Sequence, residues 1–461
     1  MEPAATAAAG QLDVDKLTYE IFSILESKFL FGYDDPKLVF SGGSSPRGVV
    51  KGTPARGPAA AVERGKVCVL SIDGGGQAAD GLLAGAALVS LEASLRRRTG
   101  DETARLADFF DVAAGSGAGG VLAAMLVARG GDGRPMFSAE DALAFLMRSL
   151  RRGWSGGGGG GGGIRALFRR PGAAFRKVFG DLTLRDTVRP VLVPCYDLAS
   201  AGPFLFSRAD AVETAAYDFR LRDVCAATCA GSDGSASAVE VRSSDGATRI
   251  AAVGGGLALG NPTAAAITHV LNNKREFPLA AGVEDLLVIS IGSGECDNRP
   301  TGGAAASTSE IVRIAAEGVA DMVDQAVAMA FGHNRTNNYI RIQAMGSPRA
   351  SRGGMRCGGG GGDGAGWGVA EEMLSQKNVE SVLFRGKKLA EQTNAEKLEW
   401  FAHELVKERD RRRTAGALAP AVVKQQPSES APAMAAAADG HTPPPPTSYS
   451  NLVSQMFTTI L

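Results

Sequence analysis

Short apolar runs alternate with helical patterns through the middle of the chain. The run Val67–Ile72 (VCVLSI) is apolar and rich in β-branched residues, stops at a glycine turn, and precedes a helical pattern over 81–98. A second unit of this kind spans 109–129. This alternation predicts an α/β fold of three layers, with a mixed but mainly parallel central sheet between helices. Further strands are predicted at 189–195, 202–207, 247–253, 285–291 and 338–344.

The flanking segments differ from this pattern. Residues 13–31 place Leu17, Ile21 and Leu25 at helical intervals, which predicts an amphipathic helix docked on the body. Residues 378–412 are charged and predict one long helix. We therefore expect four regions: an N-terminal helical extension and linker (1–60), a core with the glycine motifs (61–275), the remaining core and C-terminal helices (276–413), and a disordered tail rich in Ala, Pro, Ser and Gln (414–461).

Glycine is the composition's main anomaly. The 461 residues include 61 glycines, about twice the usual share of roughly 7%. Two uninterrupted runs, at 156–163 and 358–362, hold some of them. We expect the first run to be a flexible surface insertion, and we expect the same of the segment 353–366, which contains the second run. The other glycines require a separate explanation.

Charge and targeting signals exclude several classes of protein. Lys and Arg total 49, as do Asp and Glu, so no overall field favours a nucleic-acid partner. The N-terminus lacks a basic stretch followed by an apolar core, and glycines with Asn261 and Pro262 interrupt the longest uncharged window. We expect no signal peptide, no transmembrane helix and a cytoplasmic location.

The ligand-forming side chains show no metal spacing. Six cysteines are scattered without a paired CxxC motif, so we expect no disulfide scaffold, no metal and no cofactor. Cys225 and Cys229 are four residues apart and are predicted to pack on one helix face, and His269 is also assigned to packing.

Two glycine-rich turns lie where a strand is predicted to lead into a helix. They are Gly74–Gly76 and the segment Gly115–Gly120, GSGAGG. Such turns expose backbone N–H groups to a ligand at a helix N-terminus. Phosphate binding is disfavoured, because a GxGxxG motif would need glycine at Ala79 and neither turn has a Walker Lys-Ser/Thr. The alternative is an oxyanion hole beside a nucleophile elbow.

Three blocks resemble, in order and spacing, those of the patatin-like lipid acyl hydrolases, and especially the plant type III group. The blocks are Ser71–Gly76 (SIDGGG), Gly115–Gly120, and Gly254–Gly256 followed by Asn261-Pro262. The flanks DKLTYEIFSILESKFLFGYDDPKL, NPTAAAITHVLNNK and SVLFRGKKLAEQTN are also similar, so the resemblance covers about 12–412. It implies a patatin-like fold with phospholipids and galactolipids as substrates.

The resemblance also implies a Ser–Asp dyad that this chain lacks. The serine position falls on Gly117 and the aspartate position on Gly254, while Gln77-Ala78 alters the segment after the glycines. The oxyanion donors implied by the resemblance remain, as backbone N–H groups of Gly74, Gly75, Gly76 and Ala118. Asp73 is interpreted as a structural turn residue rather than a base.

Three hypotheses remain open for this altered site. Ser116 could act as a displaced nucleophile, or a bound water could replace the serine, since an oxyanion hole and binding alone retain catalysis of about 10³ to 10⁴-fold. The third is a catalytically inactive lipid-binding or scaffold protein. We expect a weak lipid acyl hydrolase of lipid metabolism, with the inactive protein as the alternative.

A basic segment suggests contact with a membrane. No acidic residue lies between Ala142 and Gly180, and aromatic residues alternate with arginines there. Such a composition suits an anionic lipid interface, whereas the alternative is a solvated segment whose aromatic residues pack into the core. Under this hypothesis, the cytoplasmic protein also makes peripheral contact with the plasma membrane. The predicted contact residues are Arg165, Phe168, Arg169, Arg170, Phe175, Arg176 and Lys177.

Overall fold

The computed structural model describes six stretches of the chain. All belong to a compact unit that begins at Glu63. The predicted helix over 13–31, both glycine runs and the predicted disordered tail lie outside these residues. The described stretches are 65–154, 171–231, 238–294, 308–346, 364–382 and 386–414.

A mixed sheet forms the centre of the unit. Its strand order is β5-β6-β3-β2-β1-β7-β8, with β4 also paired to β3. The pairs β1–β2, β2–β3, β1–β7 and β7–β8 are parallel, whereas β4 and β6 lie antiparallel to β3. A separate hairpin joins β9 and β10. The strands are β1 (Val67–Ile72), β2 (Val112–Gly115), β3 (Val191–Asp197), β4 (Gly202–Ser207), β5 (Val239–Arg242), β6 (Arg249–Gly254), β7 (Leu286–Ile291), β8 (Tyr339–Ile342), β9 (Lys377–Val382) and β10 (Gly386–Thr393).

Helices cover both faces of the sheet. Cys68, Leu70 and Ile72 of β1 belong to one buried cluster, whereas Val67 and Val69 belong to the other, as the period of two in a strand requires. The helices are α1 (Leu82–Thr99), α2 (Ala118–Val127), α3 (Ala139–Trp154), α4 (Pro171–Phe179), α5 (Arg208–Glu213), α6 (Leu221–Thr228), α7 (Gly255–Ala258), α8 (Thr263–Asn272), α9 (Thr308–Phe331), α10 (Arg335–Asn338), α11 (Gly364–Ser375) and α12 (Asn394–Thr414).

The three-layer α/β prediction is confirmed, with one error at the C-terminal end. The segment predicted as a single helix over 378–412 forms the hairpin β9–β10 before α12 begins at Asn394. Gly386 has φ +75° and starts the second strand of the hairpin. Charged residues along both strands obscured the period of two. The short strand β5 was also missed.

One stretch of the described residues, Ala78–Thr99, is long and apolar enough to cross a membrane by length and composition. Within its most apolar window, 83% of the residues are buried inside the fold. This burial is typical of a core helix.

Candidate functional site

The glycine motifs meet at one edge of the central sheet. Gly74–Gly76 follows β1, and Gly115 ends β2, which pairs in parallel with β1. The third motif begins at Gly254, which ends β6 and pairs with Cys195 near the end of β3. Parallel strands end at the same edge of the sheet, which brings the first two motifs together. β6 runs antiparallel to β3, and its last residue reaches the same region because it pairs near the carboxyl end of β3, so that Gly256 lies against Gly74.

Gly117 has the backbone geometry expected of a nucleophile elbow. It lies directly before α2 with φ 54° and ψ −124°, a conformation that strongly favours glycine. Its N–H donates to Thr228 Oγ1 at 2.9 Å. The turn predicted from the glycine pattern is therefore present, with hydrogen in place of a side chain at its centre.

Backbone atoms fill the space where an elbow side chain would lie. A Cβ added to Gly117 would overlap the Gly75 carbonyl group and lie 2.9 Å from the Gly74 oxygen. A Cβ at Gly254 would lie 2.5 Å from the Ala230 oxygen. Neither dyad position accepts a side chain unless the neighbouring backbone moves.

The four predicted oxyanion donors lie together, but one of them is already engaged. The Ala118 N–H donates to the Gly75 oxygen at 2.8 Å. A Cβ added to Gly74 would lie 3.1 Å from the Ala118 nitrogen, so this loop packs directly on the elbow. An ester oxygen could reach the Ala118 N–H only after the Gly75 carbonyl turns away.

A buried polar network supports the glycine loop, Gly74–Gly76. The Asp73 N–H donates to the Ile291 oxygen at 2.8 Å, and Arg341 donates to Asp73 Oδ2 at 2.5 Å. Arg341 also donates to Ser290 Oγ at 2.7 Å. Burial lowers the pKa of the Arg341 guanidinium, but the Asp73 carboxylate outweighs this effect and leaves the pKa above its ordinary value. These contacts support the interpretation of Asp73 as a structural residue.

Asp80 is a carboxylate near the elbow that the sequence interpretation overlooked. It is buried, its Oδ2 accepts the Gln77 N–H at 3.1 Å, and a Cβ added to Gly75 would meet this same oxygen. Its negative charge adds to the effect of burial in raising the pKa of the Cys229 thiol. The available signal was its position four residues after Gly76, where the turn continues into a helix.

Ser116 is placed too deeply to contact a substrate in this conformation. The residue is fully buried, and its Oγ has no hydrogen-bond partner among the described residues. Its role as a displaced nucleophile stays a prediction without a positioned base to support it.

The basic segment is only partly within the described residues. Arg165, Phe168, Arg169 and Arg170 lie outside them. Phe175 on α4 is fully buried and its ring centroid lies 6.1 Å from that of Phe145. The assignment of Phe175 to a membrane contact is therefore corrected, because its apolar ring is needed in the core. Arg176 and Lys177 are exposed.

The polar side chains assigned to packing are buried as expected. His269 lies on α8 with its side chain buried, and the thiols of Cys225 and Cys229 are buried at and just beyond the end of α6. Among the described residues, no group of three or more His, Cys, Asp or Glu side chains is arranged to hold a metal ion. The absence of a cofactor stays a prediction.

Comparison with known proteins gives a consistent assignment. No family model matches the chain. Patatin-like protein 3 from Oryza sativa subsp. indica is 64% identical over 408 residues, which cover 88% of this chain and 94% of that protein. Patatin-like protein 7 from Arabidopsis thaliana is 50% identical over 90% of this chain and 85% of its own length.

A third relative differs in its name. Probable inactive patatin-like protein 9 from Arabidopsis thaliana is 39% identical over 86% of this chain and 94% of its own length. The blocks at Ser71–Gly76, Gly115–Gly120 and Gly254–Gly256 thus occur within similarity that covers most of the described fold. The chain belongs to the patatin-like family of lipid acyl hydrolases.

Proposed function

We propose that this protein is a lipid acyl hydrolase of low turnover, which deacylates phospholipids and galactolipids without an acyl-serine intermediate. The observation that carries the proposal is the elbow at Gly117, which keeps its positive φ and lies against the glycine loop. A hydrolase needs this arrangement of backbone donors even where water replaces the nucleophile.

The reaction requires a small movement of the glycine loop. The Gly75 carbonyl turns away from the Ala118 N–H, which then donates to the ester oxygen together with N–H groups of the loop. Glycine at 74–76 allows this rotation because no Cβ restricts the backbone. The N–H groups stabilise the negative charge that develops on the ester oxygen.

Asp80 is the candidate general base for the attacking water. The carboxylate accepts a proton as the water oxygen bonds to the acyl carbon. The carbon–oxygen bond to the glycerol then breaks, and the proton passes to the leaving alkoxide. Fatty acid and lysolipid are the products.

The alternative function is a lipid-binding protein that does not hydrolyse its ligand. One observation favours it: the Gly75 carbonyl both fills the side-chain space at Gly117 and engages the Ala118 N–H. A protein in which this loop never moves would keep the fold of a hydrolase and release no fatty acid.

Fatty acid release by the purified full-length protein tests the two functions. Phosphatidylcholine and monogalactosyldiacylglycerol are the substrates, and the key variant is Asp80→Asn, which keeps an oxygen to accept the Gln77 N–H. We expect slow release by the wild type and at least a tenfold lower kcat in the variant, with KM unchanged.

The exposed carboxylate of Asp132 provides a matched control. Asp132→Asn should release fatty acid at the wild-type rate, because Asp132 lies in the exposed loop after α2. Equal release by wild type, Asp80→Asn and a preparation from cells carrying an empty vector would contradict hydrolysis and leave the lipid-binding function.

A further inference from the structure

Helix α9 presents an unusual surface to the solvent. From Ile311 to Ala330 every exposed residue is apolar or glycine, and Met322 and Met329 are 59% and 65% exposed. Surface helices of globular proteins normally show the reverse arrangement, with charged residues outward. The exposed residues are Ile311, Val312, Ile314, Ala315, Gly318, Val319, Met322, Ala326, Met329 and Ala330.

From Ile311 to Ala330, the charged residues of α9 are turned towards the protein or lie beside this face. Asp324 is buried and accepts a hydrogen bond from the Tyr339 hydroxyl at 2.5 Å. Asp321 pairs with Lys387 of β10 at 3.4 Å. Arg313 pairs with Glu317 along the helix at 3.1 Å. The apolar face is therefore a consequence of how the helix is anchored, and it is contiguous over about five turns.

Helix α9 lies beside the candidate active site. Asn261, which follows the third glycine motif, donates to the Ala320 oxygen at 3.2 Å. Helix α9 also contacts α7, where Leu257 is 55% exposed. The neighbouring Gly256 lies against the glycine loop, since a Cβ there would be 3.0 Å from the Gly74 oxygen.

We propose that the exposed face of α9, together with Leu257, docks on a lipid surface and places the glycine motifs at that surface. The inference rests on the proposed function for its substrate class. A lipid surface suits the face because it needs apolar area without charge complementarity: the exposed residues of the face are apolar or glycine, and the part-exposed Glu317 beside it is paired with Arg313. The position beside the site favours lipid over a protein partner.

Vesicle flotation with the full-length protein tests this docking surface. Vesicles of phosphatidylcholine alone are used, so that attraction to anionic lipid does not contribute. We expect the wild type to float and the double variant Met322→Glu/Met329→Glu to bind at least tenfold less. Ile311→Gln/Ile314→Gln, at the other end of the face, should also lower binding.

Met136 provides the matched control. It is 43% exposed in the loop after α2, at the edge of the sheet opposite the glycine motifs, and Met136→Glu should float like the wild type. Thermal unfolding midpoints close to that of the wild type show that the variants fold, as expected for substitutions at exposed positions.

Several outcomes would overturn the proposal. Flotation that is unchanged in both α9 variants removes this face from lipid binding. Flotation that requires anionic lipid and is lost in Arg176→Gln/Lys177→Gln assigns docking to the basic segment. If the wild type does not float, lipid docking is wrong. The face then belongs to a contact with a second copy if light scattering shows a dimer that is lost in Met322→Glu/Met329→Glu. If the protein is monomeric, the face is covered by something other than lipid or a second copy.

Failure of this proposal can be distinguished from failure of the proposed function. Flotation measures binding without turnover, so a protein that floats through α9 and releases no fatty acid keeps the docking surface and contradicts hydrolysis. Fatty acid release that is equal in wild type and α9 variants, on vesicles and on dispersed short-chain ester alike, contradicts docking alone.

Discussion

Gly117 serves two separate physical purposes. Its φ of 54° is strained for a residue with a Cβ, and its missing side chain leaves room for the Gly75 carbonyl. Substitutions at this position therefore combine backbone strain with overpacking. Another glycine with a positive φ lies in open space and provides a comparison without overlap.

Gly117→Ser is expected to destabilise the protein without increasing hydrolysis. Holding a residue with a Cβ at φ 54° and ψ −124° costs about 1–3 kcal/mol of backbone strain, and overlap with the Gly75 carbonyl adds about 1–3 kcal/mol. Urea unfolding measures the stability, and fatty acid release measures the activity. The same expectation holds when Gly254→Asp is added, since a Cβ there lies 2.5 Å from the Ala230 oxygen.

Gly180→Ser is the control for a positive φ without overlap. Gly180 has φ 56° and nothing within 4 Å of an added Cβ, so a serine there meets no neighbouring group. Equal destabilisation by the two substitutions would show that the Gly75 carbonyl moves aside at no cost, contrary to the filled site described above.

Asp210 is expected to make stability depend on pH. Burial raises its pKa to about 6; the neighbouring His269 opposes this rise, whereas Glu213 and Glu276 add to it. Since the folded chain holds this proton more tightly than the unfolded chain, the stabilising contribution is complete below about pH 4. It is lost as the pH rises through about 6.

Asp210→Asn removes this titration. Between pH 4 and pH 7 the free energy of unfolding of the variant should gain about 2–3 kcal/mol relative to the wild type, at about 1.4 kcal/mol per pKa unit. Urea unfolding of both proteins at each pH measures the difference, in which His269 is common to both. A difference that does not change with pH would show that Asp210 titrates normally.

At the scale of elements, local pattern predicted most of the central sheet. β1 and β4 occur at the predicted residues, and β3, β6 and β7 begin within two residues of their predicted starts. β1 and β7 are buried along their whole length, so their sequences are continuous apolar runs. The β9–β10 hairpin was missed because exposed strands with charged side chains lack this signal.

The candidate site also has one part that could be predicted from the sequence and one part that could not. The glycine turns were predictable because each motif is local and lies at the end of a strand. The contacts of Gly117 with Thr228 and of Asp73 with Arg341 join residues 111 and 268 positions apart. Such pairs depend on the strand order, which a single sequence does not contain.

Helix α4 provides a test of the corrected membrane residue. Phe175→Ala should lower the free energy of unfolding by about 3–5 kcal/mol, because it removes a fully buried aromatic ring. Lys177→Ala on the same helix should change it by less than about 0.5 kcal/mol, since that side chain is exposed. Chemical denaturation of the two variants gives the comparison. If Phe175→Ala lowered the free energy of unfolding as little as Lys177→Ala, Phe175 would be a surface residue.

At the scale of the whole molecule, α12 joins the end of the described fold to its beginning. Arg412 pairs with Asp111 at 2.6 Å and with Glu408 at 3.0 Å, and it also donates to the Lys66 oxygen beside β1. The last helix thereby closes the amino end of the first strand through a network of charged groups.

Arg412→Met should strongly destabilise the fold. Removing one partner of a largely buried ion pair costs about 3–5 kcal/mol, because the buried Asp111 carboxylate loses the guanidinium that compensates it. Arg413→Met is the control, as Arg413 is exposed on the same helix. Pulse proteolysis in urea compares them, and equal midpoints would show that α12 is held by apolar packing alone.

The buried cysteine thiols can report unfolding through their reaction with a labelling reagent. Burial raises the pKa of Cys68, Cys195, Cys225 and Cys229, so little reactive thiolate forms while the fold is closed. The Arg412 guanidinium contacts the Cys68 sulfur, and Cys195 lies opposite Gly254 in the sheet. With Cys296 and Cys357 replaced by serine, the labelling rate of each remaining thiol would time the opening of its own region. The order in which they react would distinguish release of the last helix from exposure of the glycine motifs.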